Sequence, residues 1–305
     1  MNHAVLSRPI NRRTLVGGSL ASAISLAAST GLAGCSGSGS GDSAGSSPVD
    51  RDRSVTIAMN AGSEPAAGFD PLVAWGCGEH VHEPLIQSTL VTTNDKMEIV
   101  GDLATDYYCS EDGLVWTFEL RDDVKFTDGE QLTAQDAAFT INSVAHGDTS
   151  EADLSMVDTA VATGDHVLEV HLNKPYNALL FTFAVLGIVP EHAYGEGYGS
   201  APIGSGRYML EQWDKGQQVI FTANPEYYGD KPLMERVVVV FMAEDAAFAA
   251  AKSGQVDIAF TYPTYSDQVI DGYELASYKT VDSRGISLPA IASGATKVLQ
   301  GDIAY

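Results

Sequence analysis

The sequence predicts a mixed fold of α/β or α+β class, and three stretches carry that prediction. Leu114-Val-Trp-Thr-Phe-Glu-Leu120 is rich in β-branched and aromatic residues, as a strand on a half-buried sheet requires. Ala134 to Ala145 places Ala137, Phe139, Ile141 and Val144 toward an apolar helical face. Arg236–Met242, Glu244–Ser253 and Val256–Phe260 read as strand, helix and strand, a βαβ candidate.

In chain order, residues 1–35 read as a processing segment. Arg12-Arg13 opens an export signal of twin-arginine type, an apolar stretch from Leu15 to Ala33 follows, and Leu32-Ala-Gly-Cys35 closes it. The glycines and hydroxyls within the stretch weaken a transmembrane reading. Residues 36–54 are a Gly/Ser tract that buries no apolar area, a tether of 19 residues with a reach on the order of 25 Å.

The body begins at residue 55. Ser54-Val-Thr-Ile-Ala-Met-Asn60 alternates as a first strand. Arg121 to Gly129 forms a hairpin segment with Asp128-Gly129 as its turn. Thr133 and Asp136 make a capping box for the helix from Ala134, the acid replacing the usual Glu or Gln. His166–Leu172 alternates as a strand, Gln218–Ala223 reads as a further strand, and Gly204-Ser-Gly206 is a glycine-rich loop entering another. Val237–Phe241 is apolar without alternation, so the expectation is a strand covered on both faces. Glu244–Ser253 carries acids in its first turn, Lys252 in its last and Gly254 as the stop.

The chain has 305 residues, 45% of them hydrophobic and 19% charged, enough apolar material for a core. Seventeen Lys and Arg face 40 Asp and Glu, a formal charge of −23. The first 35 residues contain Arg8, Arg12 and Arg13 but no acid, so the remainder is more acidic still. Such a surface disfavours nucleic acid and anionic lipid as partners. The acids are dispersed and read as an ordinary solvated surface. Neither GxSxG, HExxH nor a Walker A segment occurs, so an enzyme is not the expected class and no cofactor is implied. Cys77 and Cys109 either pair, with one possible connectivity, or remain free thiols.

Several motifs share a resemblance. Trp116-Thr-Phe-Glu-Leu-Arg-Asp-Asp-Val-Lys-Phe-Thr-Asp-Gly129 with Leu132-Thr-Ala-Gln-Asp136 resembles a signature of the family 5 solute-binding proteins, which serve ABC importers of peptides, nickel and related solutes. Glu83-Pro-Leu85, Pro202-Ile-Gly-Ser-Gly-Arg-Tyr208, Asn224-Pro-Glu-Tyr-Tyr-Gly-Asp-Lys-Pro232 and Ala246–Asp257 extend it, in family order, over residues 55–275. The tetrapeptide ending at Cys35 resembles a lipobox, which implies cleavage before that residue and lipid on its thiol and new amino group.

The resemblance implies a clam-shell of the periplasmic-binding-protein type II kind. Lobe I would comprise residues 55–275, its main part 55–84 with 191–275 and its inserted subdomain about 85–190. Residues 276–305 would start the crossover to lobe II, most of which would be missing; the expectation is a shortened gene product. The implied partners are a peptide or a nickel or metal-chelate ligand, an ABC permease, and the membrane through the lipid anchor, outside the cytoplasm. The alternative is a surface or interaction protein that keeps this lobe and transports nothing.

Between Phe126 and Gly206 the one Lys or Arg is Lys174, too little positive charge for a carboxylate-rich chelate. Cys77-Gly-Glu-His80-Val-His82 gathers thiol, carboxylate and imidazole donors for direct metal binding. His80 and His82 share a face only on a strand, and the plainer reading is a loop with surface histidines. Trp75, Tyr107, Tyr108, Tyr262 and Tyr265 are candidate cleft walls for a peptide, or else packing aromatics. The ligand-binding candidates are therefore Trp75, Cys77, His80, His82, Tyr262 and Tyr265, with Cys77, His80 and His82 as the metal candidates.

Overall fold

The computed structural model describes residues 3–7, 53–74, 84–94, 96–147, 152–261, 265, 268 and 270–278. It is a mixed α/β structure, as predicted. Thirteen strands and three α-helices are described, arranged around two main sheets and a short ribbon.

The larger sheet has seven strands in the order β13-β1-β12-β2-β11-β10-β9. Its centre is β2 (Ser54–Met59), flanked in parallel by β11 (Arg236–Phe241) and β12 (Ile258–Thr261). β11, helix α3 (Glu244–Lys252) and β12 are the expected strand–helix–strand unit, but the crossover passes over β2. Parallel neighbours need such a connection because a tight turn cannot reverse the chain twice. β9 (Tyr208–Asp214) and β10 (Gln218–Ala223) add an antiparallel edge, and β13 (Glu274–Tyr278) lies at the other end. The loop before β9 does lead into a strand, as expected.

Alternation along these strands separates two faces. Ala58 and Ala259 pack with α3 through Ala247, Ala250 and Ala251. Val55, Val219, Phe221, Val237, Val239 and Phe241 form a second cluster. The expectation that Val237–Phe241 is covered on both faces needs correction. Val237, Val239 and Phe241 are buried, whereas Val238 and Val240 are only half-buried. An all-Ala helix surface is narrow and does not blanket that side of the strand.

The second sheet is wholly antiparallel, in the order β5-β6-β8-β7, with β5 Ala104–Cys109, β6 Val115–Leu120, β7 Val157–Gly164 and β8 Val167–Leu172. β3 (Val91–Thr93) and β4 (Ile99–Gly101) pair beside it. Helix α1 (Ala134–His146) begins where the sequence places it. The Thr133 N–H donates to Asp136 Oδ2 at 2.9 Å, the expected reciprocal half of a capping box. Asp136 does more: its Oδ1 accepts the Glu191 N–H at 3.0 Å, tying the helix start to a distant segment. Helix α2 (Leu179–Phe183) closes the largest core cluster, centred on Phe118, Phe126, Ile141, Leu168 and Phe183.

The N-terminus departs from its reading as an address alone. His3–Ser7 forms β1, antiparallel to both β12 and β13. These residues carry no formal charge apart from the histidine, and their backbone is free of Gly and Pro, so nothing opposes a strand. Residues 8–52, including Arg12, Arg13 and Cys35, lie outside the described residues. Among the described residues, no helix is long and apolar enough to cross a membrane.

Candidate functional site

The segment singled out for ligand chemistry starts just after β2, so its geometry depends on how residues 60–74 are held. A 3-10 turn at Ala61–Ser63 takes the chain off the sheet. Gly68 then passes against Gly199 at backbone distance. It has φ +77, and a Cβ there would lie 2.5 Å from the Gly199 carbonyl oxygen. That oxygen instead accepts the Phe69 N–H at 2.8 Å. Only glycine permits this crossing.

Asp70 follows and is nearly buried. Its Oδ1 accepts the Leu72 N–H at 3.0 Å, and its Oδ2 accepts the Tyr194 hydroxyl at 3.1 Å. Burial raises the Asp70 carboxyl above the ordinary carboxylate range, and these two hydrogen bonds oppose the rise. Burial first, then the neighbouring carboxylate, pushes the Tyr194 phenol up to about 12. Tyr198, four residues on, donates to the Ile203 carbonyl at 2.6 Å and accepts from Gln87 Nε2 at 3.2 Å. Burial holds its phenol well above the usual range too. Gln87 Nε2 also donates to the Phe69 carbonyl at 3.1 Å. Residues 69 and 70 are thus clamped from two directions by neutral donors, the half-buried Tyr194 hydroxyl and the buried Gln87 amide.

Leu85–Leu90 is the second element of this joint. Its carbonyls accept in turn from Tyr208, Gly206, Ile188, Leu103 and Ala104 N–H groups. The glycine-rich motif exists for this contact. A Cβ on Gly204 would lie 2.0 Å from the Ile86 carbonyl oxygen, and one on Gly206 would lie 2.5 Å from that of Leu85. Ser88 Oγ donates to the Ser205 carbonyl at 3.1 Å.

The other quoted motifs meet here as well. Asn224 Nδ2 donates to the Gly206 carbonyl at 2.9 Å, and its Oδ1 accepts the Glu226 N–H at 3.0 Å. The Tyr228 hydroxyl donates to Asp102 Oδ1, while Asp102 Oδ2 accepts the Thr89 N–H at 3.0 Å. Burial and the adjacent carboxylate keep that phenol protonated. The Arg121 guanidinium lies 4.9 Å from the Tyr228 ring centroid and makes a two-pronged ion pair with Asp123, at 2.8 and 2.7 Å.

Against the sheet face away from α3 is a cavity of about 310 Å³, bounded by Ile57, Met59, Phe69, Leu85, Val239 and Phe241 among others. Its lining is apolar apart from Ser63 and Gln87, so it offers no charge to a chelate or to a peptide terminus. Among the described residues, no group of three or more His, Cys, Asp and Glu is placed to hold a metal ion.

Of the sequence-predicted site residues, Trp75, Cys77, His80, His82 and Tyr262 lie outside the described residues, as do Arg12, Arg13 and Cys35. Tyr265 is described, and its ring stacks on Phe248 of α3 with centroids 4.7 Å apart, on the side of the sheet away from the cavity. Tyr107 stacks on Phe118 at 6.1 Å, and its hydroxyl donates to the Ile99 carbonyl. That is a packing role within the smaller sheet's core, not a cleft wall. Tyr108 is exposed, and Cys109 is a free thiol on β5. Sequence reasoning missed Asp70, Gln87, Tyr194 and Tyr198. The available signal was weak: Asp70-Pro71 as a turn, and two tyrosines four residues apart.

Residues 98–290 match the family model described as bacterial extracellular solute-binding proteins, family 5, middle region. The chain belongs to this family. Among its family 5 relatives, Protein XP55 of Streptomyces lividans is 31% identical over 248 residues, covering 77% of this chain and 45% of that protein. A probable D,D-dipeptide-binding periplasmic protein of Escherichia coli K12 is 31% identical over 212 residues, 64% of this chain and 41% of that protein. In structure, the chain is similar to NikZ of Campylobacter jejuni, solved in complex with Ni(L-His), with a TM-score of 0.64 and 27% identity over 70% of this chain and 44% of that one. The chain therefore spans less than half the length of the family 5 relatives it matches. The fold is of the type II periplasmic-binding-protein kind, as the motifs implied.

Proposed function

We propose that the chain is the first lobe of a lipid-anchored, extracytoplasmic receptor that delivers peptides or nickel chelates to an ABC importer. The family match over residues 98–290 carries the reading. Two relatives from Escherichia coli K12, a probable D,D-dipeptide-binding and a nickel-binding periplasmic protein, supply the ligand classes. Leu32-Ala-Gly-Cys35 supplies the anchor, since a thiol is the group that forms a thioether with lipid. Residues 36–54 then leave the lobe free to turn toward a permease.

Within that receptor, residues 55–84 with 191–275 form the main part of the lobe and about 85–190 the inserted subdomain. In support, β3 to β8 lie between residues 91 and 172 and, among the described residues, pair only among themselves. Solute would bind between this lobe and a second one, and would favour closure by binding the closed form better. Trp75, Cys77, His80, His82 and Tyr262, which follow residues 60–74 and β12 in the sequence, are the residues proposed to meet it. Tyr265 contributes through its stack on Phe248.

Lipid labelling tests the anchor. The wild-type chain expressed in a bacterium should incorporate radioactive palmitate and sediment with membranes, and Cys35→Ala should do neither. Persistent labelling of Cys35→Ala overturns the lipobox assignment.

A further inference from the structure

The β9 edge of the larger sheet carries a groove that neither the family nor the motifs assign. Among the described ladders, β9 has β10 as its one partner. Its outer side is closed at one end, where the Tyr208 N–H donates to the Leu85 carbonyl at 3.0 Å. Among the described residues, no hydrogen bond outside the β9–β10 ladder reaches the backbone of residues 209–213. A groove of about 400 Å³ lies along this stretch, bounded by Leu210, Trp213 and Lys215 and by Ser200, Ala201 and Pro202.

The groove ends at a turn that the fold holds in place. The Gln217 N–H donates to the Asp214 carbonyl at 2.9 Å, with Gly216 at φ +77 between them. Glu64 Oε1 accepts both the Trp213 indole N–H and the Gly216 N–H, each at 2.8 Å. The Phe241 N–H donates to the Gln217 carbonyl at 2.8 Å. Lys215 occupies this turn, its Nζ 4.6 Å from the Trp213 ring centroid. The carboxylates around it are engaged by other donors. Glu211 takes a two-pronged ion pair from Arg236, at 3.1 Å for each contact. Asp214 accepts from the side-chain amides of Gln212 and Gln218. Among the described ion pairs Lys215 has none, and it is the one cation among the described residues that line the groove.

We propose that this groove binds the C-terminal end of a short extended peptide, with its main chain along the outer edge of β9 and its α-carboxylate at Lys215. An open strand edge offers N–H and C=O groups to an extended backbone, and the ammonium supplies the one charge a peptide's carboxyl end needs. The position of Lys215 sets the polarity: the ligand's last residue lies beside Trp213, and the peptide runs parallel to β9. Residues 209–213 span about 17 Å, which suits three to five residues. The register shift in β9 opposite Ile220 and Phe221 bends the edge and keeps the added ladder short. The site belongs to this lobe alone, so it stands whether or not a solute also binds between two lobes.

Two-dimensional ¹H–¹⁵N NMR on the full 305-residue chain tests this. The Trp213 indole N–H signal is assigned by its loss in Trp213→Phe. The titrant is acetyl-Val-Thr-Val with a free carboxylate. It should shift the Trp213 indole and the backbone amides of residues 210–215, with a dissociation constant on the order of 1 mM. Three comparison peptides separate the two parts of the site. The C-terminal amide of the same peptide should bind about 5-fold more weakly, and so should the amide with a free amino end. The acid N-methylated at every residue should lose binding, because it has no main-chain donors. Lys215→Met should weaken the acid about 5-fold and leave the amide unchanged, whereas Lys215→Arg should retain the preference for the acid. Lys215 is exposed, so neither variant disturbs the core. Equal binding of acid and amide, or a preference for the free amino end, overturns the carboxylate contact. Undiminished binding of the N-methylated acid overturns the edge pairing. Shifts confined to residues outside 200–216, or no shift with any peptide at about 10 mM, overturn the site.

Discussion

Gly204→Ala is expected to prevent the chain from reaching its native fold. A Cβ at that position sits 2.0 Å from the Ile86 carbonyl oxygen and 2.7 Å from its carbon. Both atoms are backbone, so no side chain can swing aside. The Leu85–Leu90 segment that would have to move is fixed at the carbonyls of Leu85, Ile86, Ser88, Thr89 and Leu90, and the Gly206 N–H grips the same Ile86 oxygen at 2.7 Å. The cost is on the order of 4 kcal/mol or more. A domain of this kind has about 5–15 kcal/mol in total. Gly164 provides the control, because a Cβ there meets nothing within 4 Å. Urea unfolding followed by far-UV circular dichroism should show Gly164→Ala within about 0.5 kcal/mol of wild type. Gly204→Ala should be insoluble or lack a cooperative transition. A native-like midpoint for Gly204→Ala would show that the segment is not held as described.

Phe118→Ala is expected to be the most costly side-chain truncation. Phe118 is fully buried at the centre of the larger core cluster. Its ring meets Phe183 edge-on at 5.7 Å and stacks with Tyr107 at 6.1 Å and Trp116 at 6.4 Å. Truncation removes this burial and leaves a cavity bounded by two sheet strands and α2. The loss should be about 3–5 kcal/mol by urea midpoint. Tyr108, one strand away and exposed, should tolerate alanine with little change. Equal losses at the two positions would contradict the placement of β5 against β6.

What could be read beforehand follows from where the physical signal resides. β10 was legible from end to end because Gln218–Ala223 is short, rich in β-branched and aromatic residues and preceded by the Lys215-Gly216 turn. α1 was legible because Thr133 and Asp136 mark its start. β11, α3 and β12 were legible as local units, but the insertion of β2 between the two strands is a long-range fact. β5 and β7 escaped because register shifts interrupt their pairing, so period-two alternation is broken in each. β3 and β4 have three residues each, too few for any period.

The site divided in the same way. The motifs with the strongest resemblance proved to be joints: Gly204 and Gly206 lie against the Ile86 and Leu85 carbonyls, Asn224 bonds the Gly206 carbonyl, Tyr228 bonds Asp102, and Arg121 lies over the Tyr228 ring. The clamp on the candidate loop was invisible because Asp70 and Tyr194 are 124 residues apart, and Gln87 and Tyr198 are 111 apart. No spacing rule reaches that far. The β1 strand was hidden by a stronger local message, since an apolar stretch behind two arginines reads as a leader.

The central proposal is that the family motifs of this chain build a frame, and that solute binding needs the segment after Ala74 together with a second lobe. Isothermal titration calorimetry on the full 305-residue chain tests it most directly. The titrants are Ni²⁺ with L-histidine and, separately, a D,D-dipeptide and a tetrapeptide, with circular dichroism confirming the folded state. The expected result is a dissociation constant of about 100 μM or weaker for each. Saturable sub-micromolar binding of any of them would contradict the proposal.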